Sequence, residues 1–292
     1  LQSLGFGPIR AAKIYKTYGS NTISQVKNNP YQLELDIEGV GFVLADEAAQ
    51  KLGIPKDALI RAQAGIRHVL KENTLEGHCA MKTEALQKKA IKLLGIDEEK
   101  VNEGIAAEFQ ENRIKADYIE NEEVFYLARY YQHETGAAKH LKRLLAHPFN
   151  AQPTIEPAIR AFEQTKGFKL DNKQIEAIQK ALNSKVSIIT GGPGTGKTTI
   201  TQCLLQAIDT AKIALCAPTG RAAKRLNETT GMEAKTIHRL LEYRAGGFFY
   251  YDKNPLDVDW VIVDEVSMVD IAIIHHLLRA IPDHARLVLI GD

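Results

Sequence analysis

The chain has 292 residues, 45% of them hydrophobic and 25% charged, which is enough for two or three globular domains with a sizeable core. Its net charge of +1 excludes bulk attraction to nucleic acid, so any such contact must come from local patches. Three cysteines (Cys79, Cys203 and Cys216) with no C-x-x-C spacing argue against a disulfide framework or zinc site, and no apolar run approaches the ~20 residues of a membrane span.

The chain opens on Leu1 with no basic-then-apolar leader, so we expect a cytoplasmic, membrane-free protein and a trimmed or partial chain. Residues 1–56 hold two similar units. Gly5-Phe6-Gly7-Pro8 and Gly39-Val40-Gly41-Phe42 each open with G-x-G and run into an amphipathic helix. A G-x-G turn at a helix N-terminus exposes N–H groups on which a DNA phosphate can sit without base reading. The same pattern also serves a helical bundle whose glycines only allow close packing.

Residues 57–150 read as a separate helical module. Apolar residues recur at helical spacing from Leu59 to Leu70, from Leu86 to Leu94 and from Val101 to Phe109. Two extended segments, 114–119 and 124–127, flank the acidic turn Glu120-Asn121-Glu122-Glu123, whose charge argues against that tip gripping DNA. Three helices and a hairpin resemble a winged-helix arrangement. The basic stretch from Arg129 to His147, with Lys139, Lys142 and Arg143, reads as a solvated helix face. Pro148–Pro157 carries three prolines and reads as a linker.

From 151 to 292 the pattern changes to alternating strands and helices, the mark of an α/β domain with a parallel sheet. Strands are expected at Val186–Thr190, Ile213–Ala217, Trp260–Asp264 and Arg286–Ile290. The first ends in Gly191-Gly192-Pro193-Gly194-Thr195-Gly196-Lys197-Thr198-Thr199, a G-x-x-x-x-G-K-T loop running into a helix. Such a loop turns consecutive N–H groups toward phosphate oxygens. Lys197 supplies a point charge for the β- and γ-phosphates, and Thr198 a hydroxyl for Mg²⁺. The third strand ends in Asp264-Glu265. Asp264 is expected to hold the metal and Glu265 to orient and deprotonate the attacking water. Gln174, ahead of the loop, offers an amide that matches an adenine edge. The nucleotide expected is ATP with Mg²⁺.

Several segments carry a family resemblance. The loop 191–199, Ala217-Pro218-Thr219-Gly220-Arg221-Ala222-Ala223-Lys224-Arg225-Leu226, Thr236–Leu241, Asp264–Asp270 and Leu289-Ile290-Gly291-Asp292 look like successive motifs of superfamily 1 helicases. The A-P-T-G-R-A-A-K-R-L phrase is most similar to RecD-like enzymes, and the tandem helix-hairpin-helix units before it resemble their stand-alone long form. The resemblance implies a RecA-like P-loop domain and a motor of the 1B type that moves 5′ to 3′ on single-stranded DNA and acts at duplex junctions. It also implies that Gln174 contacts adenine and that Thr219, Arg221 and His238 lie in motifs lining the DNA path, although Thr219 also suits a helix cap. Glycines 5, 7, 39 and 41 are the expected phosphate contacts of the hairpins.

The aromatic segment 242–251 reads as a β-hairpin, either a duplex-splitting pin or a hairpin packed on its own domain. The sequence stops inside the third motif, so the second motor domain and its transition-state cations are missing from it. Weak nucleotide binding and poor hydrolysis are expected of this polypeptide. Two other readings are a DNA-binding switch without unwinding, which stays open, and an unrelated P-loop kinase, against which the Asp264-Glu265 pair and the A-P-T-G-R segment speak.

Overall fold

The computed structural model describes residues 1–149, 155–208, 211–244 and 246–292. They form two compact units, Leu1–Gln132 and His133–Asp292.

The first unit opens with four short helices: α1 (Pro8–Tyr18), α2 (Thr22–Asn28), α3 (Gln32–Asp36) and α4 (Phe42–Lys51). They are followed by α5 (Leu59–Leu75), β1 (Ala80–Lys82), α6 (Thr83–Leu94), α7 (Glu98–Gln110), β2 (Ile114–Ile119) and β3 (Glu122–Leu127), and α8 (Ala128–Ala146) begins there. The strands make an antiparallel sheet in the order β1-β3-β2, which completes the winged-helix-like arrangement. The three-residue β1 was not expected, because a run that short carries no readable alternation. Glu120 and Asn121 join β2 to β3 with φ of 53° and 67°, the two positive values of a tight hairpin turn.

The expected break at residue 56 is not a break in packing. Phe6, Ile14 and Phe42 belong to the same buried cluster as Leu70, Leu86, Ile105 and Phe125. Buried polar groups tie the same elements. Asp46 on α4 accepts from Arg61 Nε at 2.8 Å and from the Tyr31 hydroxyl at 2.6 Å. Arg61 also donates to the Lys56 and Leu94 carbonyls, both at 2.8 Å.

The second unit contains α9 (Glu156–Lys166), α10 (Asn172–Leu182), β4 (Val186–Thr190), α11 (Lys197–Ala207), β5 (Ile213–Ala217), α12 (Gly220–Thr230), β6 (Ala234–Thr236) and α13 (Ile237–Leu240). After these come β7 (Tyr243–Arg244), β8 (Gly247–Phe248), β9 (Trp260–Val263), α14 (Ile271–Ala280) and β10 (Arg286–Gly291). Five strands form a parallel sheet in the order β4-β10-β9-β5-β6.

The central strands β5, β9 and β10 are apolar on both faces because both faces are covered, whereas Ile188 on edge strand β4 is exposed. Leu215, Ile262, Val288 and Ile290 point into a core shared with α9, α10 and α11. Their neighbours Ala214, Cys216, Val261, Val263 and Leu287 point into another, with α14 and Leu144 of α8. All four sequence-predicted strands are present, and β6 is an addition. Part of the expected linker falls outside the described residues; Pro157 sits in the first turn of α9.

The basic face expected on α8 is only partly solvated. Lys139 and Lys142 are exposed. Arg143 instead donates to the carbonyls of Leu278 at 2.9 Å and Ile281 at 2.7 Å and pairs with Asp283. It thereby closes the C-terminal end of α14, where carbonyls have no helical partner.

Candidate functional site

The glycine loop is braced from two sides. On one side, Asp171 and Gln174 form a capping box that starts α10. Gln174 Oε1 accepts from the Asp171 N–H at 3.0 Å, and its Nε2 donates to the Thr195 carbonyl at 3.2 Å. On the other side, the Gly191 N–H donates to the Gly291 carbonyl at 3.3 Å. Gly196 has φ of 84°, and a Cβ there would fall 2.3 Å from Gln174 Nε2. Only glycine meets both conditions.

Lys197 opens α11, and its ammonium curls back over the loop. It donates to the carbonyls of Gly191 and Gly192 (the latter at 3.2 Å) and to Asp292 Oδ1 at 2.5 Å. Thr198 and Thr199 occupy the first turn of α11, half-buried. Gly192, Pro193, Gly194 and Thr195 are exposed. The segment 191–198 therefore presents a cation, a hydroxyl and a helix N-terminus at one end of β4, a combination suited to phosphate.

Sheet register brings the acidic strand end to the same edge. Thr190 lies opposite Gly291 of β10, and Val263 lies opposite Leu289 of that strand. Asp264 is thus level with Ile290, one residue short of the end of β4 and two strands away, or roughly 10 Å at ~4.8 Å per strand. The Asp264 N–H still donates to the Cys216 carbonyl of β5 at 2.9 Å. Glu265 then turns sharply, with φ of 53° and ψ of 41°. Its N–H donates to Asp264 Oδ1 at 3.0 Å. A left-handed conformation in a glutamate costs about 1–2 kcal/mol, and such residues concentrate at functional sites.

The pairing of Asp292 with Lys197 and the turn at Glu265 were not read from the sequence. Leu289–Asp292 reads as a motif in the sequence, but nothing in one chain's spacing says which side chain meets which.

Thr219 N-caps α12, accepting from the Ala222 N–H at 3.2 Å. Arg221 is exposed in the first turn of that helix. His238 is exposed on α13, its ring 5.8 Å from that of Phe248 and 6.5 Å from that of Tyr243. In the hairpin, one strand bears Phe248, whose ring lies 4.8 Å from His276 of α14. Tyr243 on the other strand is 67% exposed. The hairpin is therefore anchored on its own domain by one aromatic and offers another to solvent; Ala245 at its turn lies outside the described residues.

In the first unit the two G-x-G turns share one geometry. The leading glycines, Gly5 and Gly39, have φ of 102° and 91°. The trailing ones, Gly7 and Gly41, are extended and N-cap α1 and α4. Arg10 Nε of α1 donates to the Gly39 carbonyl at 3.0 Å, and Lys13 Nζ to the Glu38 carbonyl at 3.5 Å. Two cations of α1 thus reach the carbonyls of the second turn, a contribution of Arg10 and Lys13 that helical spacing alone did not single out.

A parallel sheet with a G-x-x-x-x-G-K-T turn at one strand end and Asp-Glu at another, on the same edge, defines a RecA-like P-loop nucleotide-binding domain. Residues 174–292 match the AAA domain family, and residues 1–80 match the ATP-dependent RecD2 DNA helicase HHH domain family. The chain is 30% identical to the ATP-dependent RecD2 DNA helicase of Deinococcus radiodurans, an alignment covering 100% of this chain and 42% of that one. It is 35% identical to the RecBCD enzyme subunit RecD of Mycolicibacterium smegmatis over 58% of this chain and 34% of that one. The RecBCD subunit RecD of Haemophilus influenzae is 34% identical over 57% of this chain and 31% of its own. The chain therefore spans less than half the length of these relatives. Its sequence corresponds to the N-terminal part and first motor domain of RecD-like ATP-dependent DNA helicases.

Proposed function

We propose that this chain binds ATP with Mg²⁺ across the edge formed by β4, β10 and β9 and that it uses the nucleotide to drive a DNA motor moving 5′ to 3′ on single strands. The carrying observation is the shared edge: the Gly191–Thr198 turn and Asp264 end within one residue of the same level of a single sheet.

The residues fit the group. Gly192, Gly194 and Gly196 supply N–H groups, Lys197 a charge already held over the loop, and Thr198 and Asp264 the hard oxygen donors that magnesium accepts alongside phosphate and water. Among the described residues no group of three or more His, Cys, Asp or Glu could hold a metal by itself, so the ion's shell would be completed by phosphate and water. The bound magnesium would neutralise charge on the phosphates. Lys197 exchanges its carbonyl partners for phosphate oxygens. Glu265, set by its left-handed turn, orients the attacking water and takes its proton. Gln174 holds the loop through Thr195 and keeps one amide hydrogen for an adenine edge.

DNA engages two surfaces in this reading. Glycines 5, 7, 39 and 41, with Arg10 and Lys13 beside them, hold duplex phosphates without reading sequence. Arg221, His238 and the exposed face of the hairpin meet the single strand, while Thr219 acts through the cap that positions Arg221.

Strand displacement by the protein that carries this chain, compared on 5′-tailed and 3′-tailed duplexes, tests the motor. Displacement confined to the 5′-tailed substrate supports it. Preference for the 3′ tail contradicts the polarity, and nucleotide-dependent binding without displacement favours a switch.

A further inference from the structure

The first unit contains a cavity lined by cations, built from groups that neither the nucleotide site nor the glycine turns use. Arg67 and Lys71 of α5, Arg113 after α7 and Arg129 at the start of α8 line one space of about 330 Å³, together with Glu34 and Leu35 of α3. Pockets of this size take small ligands. Glu108 and Glu111, which pair with Arg67 and Arg113, do not line it, so its wall carries four cations against one carboxylate.

Two of the wall's polar atoms have no hydrogen-bond partner among the described residues. Arg67 is 6% exposed; it gives one terminal nitrogen to Glu108 at 2.6 Å, yet its buried Nε donates to nothing. The Glu34 side chain is 5% exposed; Lys71 stands 3.9 Å from its Oε1, and its buried Oε2 accepts nothing. Buried polar groups are ordinarily satisfied, so two unpartnered atoms in residues of one cavity wall mark a wall whose polar groups are incompletely paired within the protein. Burial pushes the Glu34 carboxyl up, against the pull of Arg67, Lys71 and His68, which limits the negative charge it sets against an anion.

Guanidinium forks with an added ammonium are the usual chemistry for phosphate. Four cations around one half-open space suit the double charge of a phosphomonoester better than the single charge of a backbone diester. The remaining volume suits an attached sugar and base. We propose that this cavity binds a nucleotide phosphomonoester, either free or as the 5′-phosphorylated end of a DNA strand.

The test uses the chain carrying Lys197→Ala, which removes the cation of the P-loop phosphate site. Two titrations are made, one comparing 3′-labelled 12-mers with a 5′-phosphate or a 5′-hydroxyl by anisotropy, the other following thymidine 5′-monophosphate by calorimetry. At least one should show a phosphate-dependent affinity about tenfold or more above its control, lost in Arg129→Gln and Lys71→Gln and kept in Lys88→Gln, whose cation is exposed elsewhere. A preference seen only with the strand assigns the occupant to a DNA end; binding of the free monophosphate assigns it to a nucleotide. Absence of both effects, or effects that Arg129→Gln and Lys71→Gln leave intact, would overturn the proposal.

Discussion

Gln174 Nε2 donates to the Thr195 carbonyl at 3.2 Å while its Oε1 closes the capping box on Asp171, so one side chain serves both a helix start and the phosphate loop. The two duties separate chemically. Gln174→Glu keeps an acceptor for the cap but loses the donor to Thr195. Its melting temperature should stay near that of the parent while ATP affinity falls several-fold. Gln174→Ala loses both, with ~1 kcal/mol of stability removed in addition. Calorimetric melting and nucleotide titration on the same samples check the split; equal loss of stability in both variants would place the effect elsewhere.

Glu265 offers a contrast between conformation and chemistry. Its φ of 53° is unfavourable for any residue with a Cβ. Glu265→Gly relieves that strain, at ~1–2 kcal/mol, but adds unfolded-state freedom worth ~0.5–1 kcal/mol. Stability should therefore be unchanged or slightly higher. Turnover by the protein carrying this chain should be lost with Gly and with Gln alike, and nucleotide binding should persist in Glu265→Gln. Loss of binding in that variant would make the residue structural.

The Asp46–Arg61 pair joins α4 to α5. Burial alone would raise the Asp46 carboxyl, but hydrogen bonds from Arg61 and Tyr31 outweigh it and hold the group below its ordinary value. A carboxyl lowered on folding contributes stability above its unfolded pKa of ~3.9, and that stability is lost as pH falls through the lower folded value. Asp46→Ala should cost ~3–5 kcal/mol by stranding Arg61, and should remove this acid-dependent component from a denaturant series run below pH 4.

His275 behaves in the same direction at higher pH. Burial, with His133, His276, Arg279 and His140 nearby, lowers it to about 4 from 6.5. Its folded form stays neutral where the unfolded chain takes up a proton, so stability is full above pH 6.5 and declines as pH falls toward 4. The slope of melting temperature against pH over that window should flatten in His275→Gln. An unchanged slope would assign it to the other histidines of the cluster.

The glycine turns are best probed at their second positions. Gly7 and Gly41 are not left-handed, and a Cβ at either meets nothing within 4 Å. Valine there gives up the glycine N-cap preference, which should cost each helix about 0.5–1 kcal/mol, and should weaken duplex binding about tenfold, with a loss that shrinks as salt rises. Undiminished binding would leave the turns a packing role only.

Much of the second unit was readable because its signals are local. A glycine loop after an apolar run, and two carboxylates after another, mark strand ends, and the βα alternation implies a parallel sheet, whereas the order β4-β10-β9-β5-β6 has no local signal. What the sequence did not reveal depends on contacts far apart along the chain. Lys197 meets Asp292 across 95 positions, and Arg143 closes α14 from a helix that reads as a solvated basic face. β1 and β6, three residues each, are strands only because β3 and β5 lie beside them. In the first unit both G-x-G turns were legible, but the fusion of the hairpins with the winged-helix-like part was not, since Arg61 and Asp46 look like ordinary surface charges until burial is known.

Magnesium dependence of ATP binding measures the junction between the two strand ends most directly. In the parent chain Mg²⁺ should tighten ATP binding, and Asp264→Asn should erase most of that gain while leaving magnesium-free affinity near the parent value. An undiminished magnesium effect in Asp264→Asn would mean that the strand end at β9 and the loop after β4 do not share one nucleotide.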